Sequence, residues 1–204
     1  MGRDIVFIPA FLIILVTAML AEDADSAWTR INQNYELFEN ASNAFRVDIK
    51  HLEAVVFVER FLNYDWSDEA LDVIFANGGG NSSIGFCQVK IKTAYWIEKQ
   101  LNDSTSKFFP GKEYSSLLEI SDSPVELIQK LVNDSLNILY AAGYLRIIQT
   151  YWEKAGFQIN NRPDILGTLY SAGIFRHNGE IRKPNKNPQP NEFGRLVLKY
   201  LDLF

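Results

Sequence analysis

Apolar positions recur along most of this chain at intervals of three or four residues, the spacing that places side chains on one face of a helix. Trp28, Ile31, Tyr35 and Phe38 follow it, with Asn32, Asn34 and Glu36 between them, and predict an amphipathic helix. A second helix is predicted over residues 48–62. Its middle, Ala54-Val55-Val56-Phe57-Val58, is apolar all round and predicts a central buried helix. A buried strand gives a similar short run, but the pattern continues on both sides over about 15 residues, which favours helix. Asn63-Tyr64-Asp65-Trp66-Ser67 interrupts it, and Ser67 or Asp68 supplies a cap for a short helix through Phe75.

The second half is more regular. A helix is predicted over 92–101, followed by loop-like sequence over 104–123 with Pro110-Gly111 as a turn. Ser123-Pro124-Val125-Glu126 is a helix start, with Ser at the cap, Pro at the first helical position and Glu two positions on. Leu127, Ile128, Leu131 and Val132 continue that helix. A long helix is predicted over 133–155, carrying Leu136, Tyr140, Tyr144, Ile147, Ile148 and Tyr151. Pro163 restarts a helix over 164–172, with Gly173 as the residue that ends it. Residues 176–190 are polar, hold Pro184, Pro188 and Pro190, and read as a loop. A last helix over 192–204 puts Val197, Leu201 and Phe204 on one face. No strand alternation of useful length and no internal repeat is found. The expected fold is all-α, or an α-dominated α+β, in one domain over residues 28–204.

At its N-terminus the chain changes character. Residues 5–21 are apolar apart from Thr17 and are broken only by Pro9, after which Glu22-Asp23-Ala24-Asp25 is acidic. A run of this length sits at the upper edge of a signal-peptide core and below the ~20 residues of a spanning helix. Residues 1–27 are therefore expected to be a signal peptide or a membrane anchor, with a buried first helix as the remaining reading. Export to a periplasmic or extracellular location, with attachment to a membrane through residues 5–21, follows from the first pair.

Composition narrows the chemistry. The 204 residues carry a formal net charge of −5, with a pI near 5.1 and no basic block, so nucleic acid is not an expected partner. His51 and His177 lie far apart and Cys87 is the single cysteine, which excludes an internal disulfide and any zinc site at ordinary spacing. The glycines from Gly78 to Gly85 lack the third glycine of a dinucleotide fingerprint and the Lys-Ser/Thr of a phosphate loop. No cofactor and no metal is expected.

Three features remain that carry chemistry. Glu59-Arg60 interrupts the apolar helix, and a carboxyl in apolar surroundings is paired, exposed at a helix end, or raised in pKa, as a general acid requires. Gly78-Gly79-Gly80-Asn81-Ser82 leads into Ser83-Ile84-Gly85-Phe86-Cys87-Gln88-Val89, a loop whose small residues admit close approach of a ligand to the backbone. Gln88 offers both a donor and an acceptor there. Finally, the aromatics Tyr64, Trp66 and Tyr95 offer ring faces, although core packing accounts for such residues better than ligand binding does. Cys87 has no basic partner nearby in sequence to make it a nucleophile.

In their order these pieces resemble the lytic transglycosylase and goose-type lysozyme superfamily. Val56-Phe57-Val58-Glu59 resembles the apolar helix that ends in that family's catalytic Glu. Ser83-Ile84-Gly85-Phe86-Cys87-Gln88-Val89 with Thr93-Ala94 resembles its Ser-x-Gly-Leu-Met-Gln-(Ile/Val)…Thr-Ala motif, the most specific of the set. Asn137-Ile138 with Tyr144-Leu145 resembles its Asn-Ile-x-x-Gly-x-x-Tyr-Leu helix, and Leu169-Tyr170-Ser171-Ala172-Gly173 its Ala-Tyr-Asn-Ala-Gly motif. The resemblance covers about residues 45–204. It departs from the family at Arg60 (Ser), Cys87 (Met), Ala141 (Gly) and Ser171 (Asn).

The resemblance implies a lysozyme-like domain acting on peptidoglycan, or a related N-acetylated glycan, at the β-1,4 bond between N-acetylmuramic acid and N-acetylglucosamine. Glu59 would be the catalytic acid and base, and Ser83, Gln88, Tyr170, Tyr95 and Trp66 would bind substrate. Asp65, Asp68 and Glu69 are candidate second carboxylates. Arg60 next to Glu59 and the changed motif positions leave a second reading, a catalytically inactive lysozyme-like domain that binds glycan or a protein partner.

Overall fold

The computed structural model describes residues 23–63 and 80–204. The apolar segment 5–21, the break around Trp66 and the short helix expected through Phe75 lie outside the described residues. What is described is dominated by helices: α1 (Ala24–Gln33), α2 (Tyr35–Phe45), α3 (Ile49–Asn63), α4 (Ile91–Asn102), α5 (Pro124–Val132), α6 (Asp134–Lys154), α7 (Pro163–Ala172) and α8 (Glu192–Tyr200). Single 3-10 turns occur at Lys112–Tyr114 and Leu201–Leu203.

Local chemistry sets the helix ends. The Asp23 side chain accepts the Ser26 amide hydrogen and starts α1 four residues before Trp28. Ala27 lies within this helix and is fully buried in the core. The helix expected from Trp28 onward is divided at Asn34, whose side-chain amide donates to the Arg30 carbonyl. Asn at a helix end competes for backbone groups in this way. Ser123 caps α5 by accepting the Glu126 amide hydrogen, and the Glu126 carboxylate accepts from the Asp122 amide. Asn133 closes α5 and caps α6 through Leu136.

Helices α3 and α6 form the centre. In α3 every residue from His51 to Val58 is buried, and in α6 the burial runs from Asn137 through Trp152 with few interruptions. Phe57 of α3 packs edge-on against Tyr200 and Phe204, which fastens the C-terminus to the central helix. A buried polar knot joins α4, α5 and α6. Fully buried Glu98 accepts hydrogen bonds from the Ser121 amide and hydroxyl and from the Tyr140 hydroxyl, with Lys130 Nζ at 3.5 Å. A carboxylate so far from water persists only when its oxygens are satisfied in this way.

One element had no counterpart in the sequence pattern. Residues Ser83–Ile84 (β1) and Val89–Lys90 (β2) pair as a two-stranded antiparallel hairpin, Ser83 opposite Lys90 and Ile84 opposite Val89. Two residues per strand are too few to produce a readable alternation.

Two titratable groups near the start of α3 respond to burial in opposite directions. Burial raises Glu53 to about 7, with Lys50 opposing and Asp48 adding, and lowers His51. For Glu53 the folded state holds its proton more tightly than the unfolded state, so stability falls as pH rises from about 4.5 to about 7. His51 acts with the opposite sign, losing stability as pH falls. Glu53→Gln should therefore gain stability relative to wild type as pH is raised from 5 to 8, the difference levelling off above about 7. Urea midpoints across that range test this. A pH-independent difference would show that Glu53 titrates normally.

Candidate functional site

The hairpin loop, the end of α3, α6 and the end of α7 enclose a cleft of about 530 Å³. Glu59, Ser83, Gln88 and Tyr170 all line it, together with Lys90, Thr93, Ala141, Tyr144 and Gly173. Each arrives from a different local cause. Glu59 follows the last residue of the wholly buried stretch of α3 and is the first partly accessible position after it. Ser83 sits in β1, opposite Lys90. Tyr170 comes from the last turn of α7, which Gly173 ends with φ +74°, a conformation glycine adopts without steric cost.

The loop between the strands is held in place by one buried side chain. Asn137 of α6 accepts the Cys87 amide hydrogen at 2.7 Å and donates to the carbonyls of Ile84 at 2.9 Å and Leu131 at 2.8 Å. Gly85 lies directly against this amide. A Cβ at that position would fall 2.2 Å from the Leu131 carbonyl oxygen and 2.5 Å from Asn137 Nδ2, and φ is +75°. Only glycine fits. On the other side of the loop, the Tyr170 hydroxyl donates to the Cys87 carbonyl at 2.9 Å. The peptide units flanking Cys87 are thus clamped from both sides.

Gln88 follows immediately, at φ +52°. A residue with a side chain in the left-handed region costs about 1–2 kcal/mol, and such strain is commonly stored at functional positions. Its Nε2 donates to the Gly85 carbonyl at 3.2 Å, which orients the amide. A second amide hydrogen and the carbonyl oxygen remain to offer a ligand in the cleft.

The electrostatics are shaped by burial. Tyr170 is pushed well above the ordinary tyrosine range by burial first, then by Cys87, Glu59 and Tyr144. Tyr144 is pushed up to about 12 by burial, and its hydroxyl accepts the Ile174 amide hydrogen. Both phenols are neutral hydrogen-bonding groups near neutral pH. The Cys87 thiol is fully buried and raised well above its usual value, which denies it the thiolate a nucleophile needs. Glu59 contributes to raising both Cys87 and Tyr170, so its charge acts across the cleft on the clamped loop.

Arg60 does not lie along the cleft wall. Successive helix residues point in different directions, and the fully buried Arg60 guanidinium donates to the Phe86 carbonyl at 3.0 Å and stacks 4.3 Å from the Phe86 ring centre. It braces the underside of the same loop.

Of the residues singled out in the sequence, Glu59, Ser83, Gln88 and Tyr170 come together. Tyr95 is 54% exposed on α4 and is not among the lining residues. Trp66 and the carboxylates Asp65, Asp68 and Glu69 lie outside the described residues. Asn137 and Tyr144 stood in the resemblance without an assigned role, and the structure gives them one as loop clamp and cleft wall. Lys90 carried no sequence signal. Among the described residues no group of three or more His, Cys, Asp and Glu is arranged to hold a metal ion. No protein-family model and no curated protein matches this chain.

The loop geometry generates a separable prediction for Gln88 and Asn137. Gln88→Gly should keep or raise stability by about 1 kcal/mol, because glycine relieves the left-handed strain. Asn137→Ala should lower it by about 2–4 kcal/mol, since it leaves a buried N–H and two buried carbonyls without their partner. Urea denaturation of both variants checks this pair. A Gln88→Gly protein less stable than wild type by more than about 1 kcal/mol would show that the conformation is not strained.

Proposed function

We propose that this chain is a peptidoglycan-cleaving glycosidase with a lysozyme-like fold, of lytic transglycosylase or lysozyme type. It acts on the β-1,4 bond between N-acetylmuramic acid and N-acetylglucosamine. The observation that carries this reading is the convergence of Glu59, Ser83, Gln88 and Tyr170, from three separate stretches of the chain, on one cleft. The family resemblance required the three motifs that hold them to meet, and nothing in composition or periodicity did.

In this reading Glu59 protonates the leaving glycosidic oxygen and then removes a proton from the attacking group. General acid–base transfer of this kind contributes roughly 10²–10⁴ in rate. When the attacking group is the C6 hydroxyl of the same muramyl sugar, a 1,6-anhydro product results. When it is water, a reducing end results. Ser83 and the Gln88 amide hydrogen-bond the N-acetyl and hydroxyl groups of the sugar. Tyr170 acts by holding Cys87, and so the Gln88 loop, at its working distance from Glu59.

Export of the domain, by a signal or anchor over residues 5–21, accompanies the reading, since peptidoglycan lies outside the cytoplasm. Among the described residues no helix is long and apolar enough to cross a membrane.

Digestion of purified peptidoglycan by wild type and Glu59→Gln is the deciding experiment. Wild type should release muropeptides, and Glu59→Gln should be slower by about 10²-fold or more. Mass spectrometry of the products separates anhydro from reducing ends. No release by wild type, with glycan binding intact, would support the inactive binding domain. Equal release by both proteins would remove Glu59 from the chemistry.

A further inference from the structure

Three side chains tie the loop around Cys87 to the helical frame, and each comes from a different helix. Asn137 ties it to α6 through the Cys87 amide, and Tyr170 ties it to α7 through the Cys87 carbonyl. Arg60 ties it to α3 through the Phe86 carbonyl at 3.0 Å. Of the three, this tie alone starts from the helix that carries Glu59, and from the very next residue. The path from Glu59 to Gln88 is correspondingly short. It runs through one peptide bond, one guanidinium and the step from Phe86 through Cys87 to Gln88.

Burial and shape make that path stiff. Arg60 is fully buried, and its guanidinium sits 4.3 Å from the Phe86 ring centre while it donates to the carbonyl of the same residue. A planar cation that stacks on a ring and donates beside it has little rotamer freedom left. Phe86 is buried as well and meets the Phe38 ring of α2 edge-on at 5.9 Å, so it has no room to follow a displaced guanidinium. The Gln88 amide donates to the Gly85 carbonyl at 3.0 Å, which closes the turn and passes any shift at Phe86 on to Gln88. The superfamily that the chain resembles has Ser at position 60. A hydroxyl one atom beyond Cβ cannot make both contacts.

We propose that Arg60 is a positioning residue, which holds the Gln88 amide in register with the Glu59 carboxyl. The proposal rests on the glycosidase reading, in which both groups must address one sugar at once. Losing the register leaves each group in the cleft and able to touch the glycan, so ground-state binding changes little. Turnover suffers first, because misplacing a reacting group by about 1 Å lowers the rate by about 10²-fold.

The test compares wild type with Arg60→Met and Arg60→Lys in urea denaturation, turnover of soluble peptidoglycan strands and binding of an N-acetylglucosamine tetramer. Methionine fills much of the buried volume and brings no charge, a replacement for a buried cation that folded proteins tolerate. Arg60→Met should lower kcat by about 10²-fold and keep tetramer affinity within about twofold of wild type. Arg60→Lys retains a donor without the planar fork and should recover part of the loss, to about tenfold below wild type. Wild-type kcat in either folded variant would overturn the proposal. So would equal losses of kcat and tetramer affinity, the mark of a merely structural role. Amide hydrogen exchange at Gln88 reads the register without turnover. It should quicken by about tenfold or more in the variants, with α6 amides unchanged. Quickened exchange in a protein whose wild type cleaves nothing would keep the positioning role and remove the glycosidase reading. Unchanged exchange beside normal cleavage would do the reverse.

Discussion

The site depends on the buried amide of Asn137. Its carbonyl oxygen and its two amide hydrogens serve the Cys87 amide, the Ile84 carbonyl and the Leu131 carbonyl. Three backbone groups that would each be costly to bury alone are satisfied by one side chain fixed on a central helix. The hairpin itself has two residues per strand and cannot hold a shape unaided. Its conformation comes from this clamp, from the Tyr170 hydroxyl on the opposite face and from Arg60 beneath. The side chains that hold this loop from outside all belong to helices, which ties it to the helical frame.

That arrangement changes the meaning of the Glu59-Arg60 pair. In the sequence the two are adjacent charges, and the direct expectation is that the cation neutralises the carboxylate. In the folded protein Glu59 lines the cleft, whereas the Arg60 guanidinium is buried against the Phe86 ring and carbonyl. The guanidinium is a structural donor to the loop that faces Glu59. An Arg so deeply buried is tolerated because the ring supplies a cation–π contact and the carbonyl a charge-assisted hydrogen bond.

The helices were largely legible because each depends on signals confined to a few neighbouring residues. Ser123-Pro124 opened α5 and Gly173 closed α7 as expected, and the apolar run of α3 was read as buried and is buried. The division of the first helix at Asn34 was missed, because Trp28, Ile31, Tyr35 and Phe38 keep helical spacing straight across it. The hairpin was missed because it is made by tertiary contacts with Asn137 and not by strand propensity. Glu59 and the Gln88 loop stood out singly in the sequence, and their meeting with Tyr170 was suggested only by a family resemblance. No local rule says that Glu59, Gln88 and Tyr170 face one another, and that information resides in how α3, α6 and α7 cross. Lys90 was invisible for a different reason, since a surface cation has no periodic signature.

Among the described residues Glu59 is the one acidic side chain lining the cleft, and the candidate second carboxylates Asp65, Asp68 and Glu69 lie outside them. The two-carboxylate schemes of glycoside hydrolysis need a second group, either close enough to attack the sugar or far enough to activate a water between them. A scheme with a single carboxylate instead draws its nucleophile from the substrate, and the muramyl C6 hydroxyl is the group that closes a ring on its own anomeric carbon. In the glycosidase proposed above, Ser83, Gln88 and the neutral phenol of Tyr144 would orient the sugar without competing for the proton. The demand on the fold would then be to hold the sugar still while Glu59 gave its proton and took another back. The clamp on the 84–87 loop suits that demand, with Gln88 held in a conformation that a looser loop would relax.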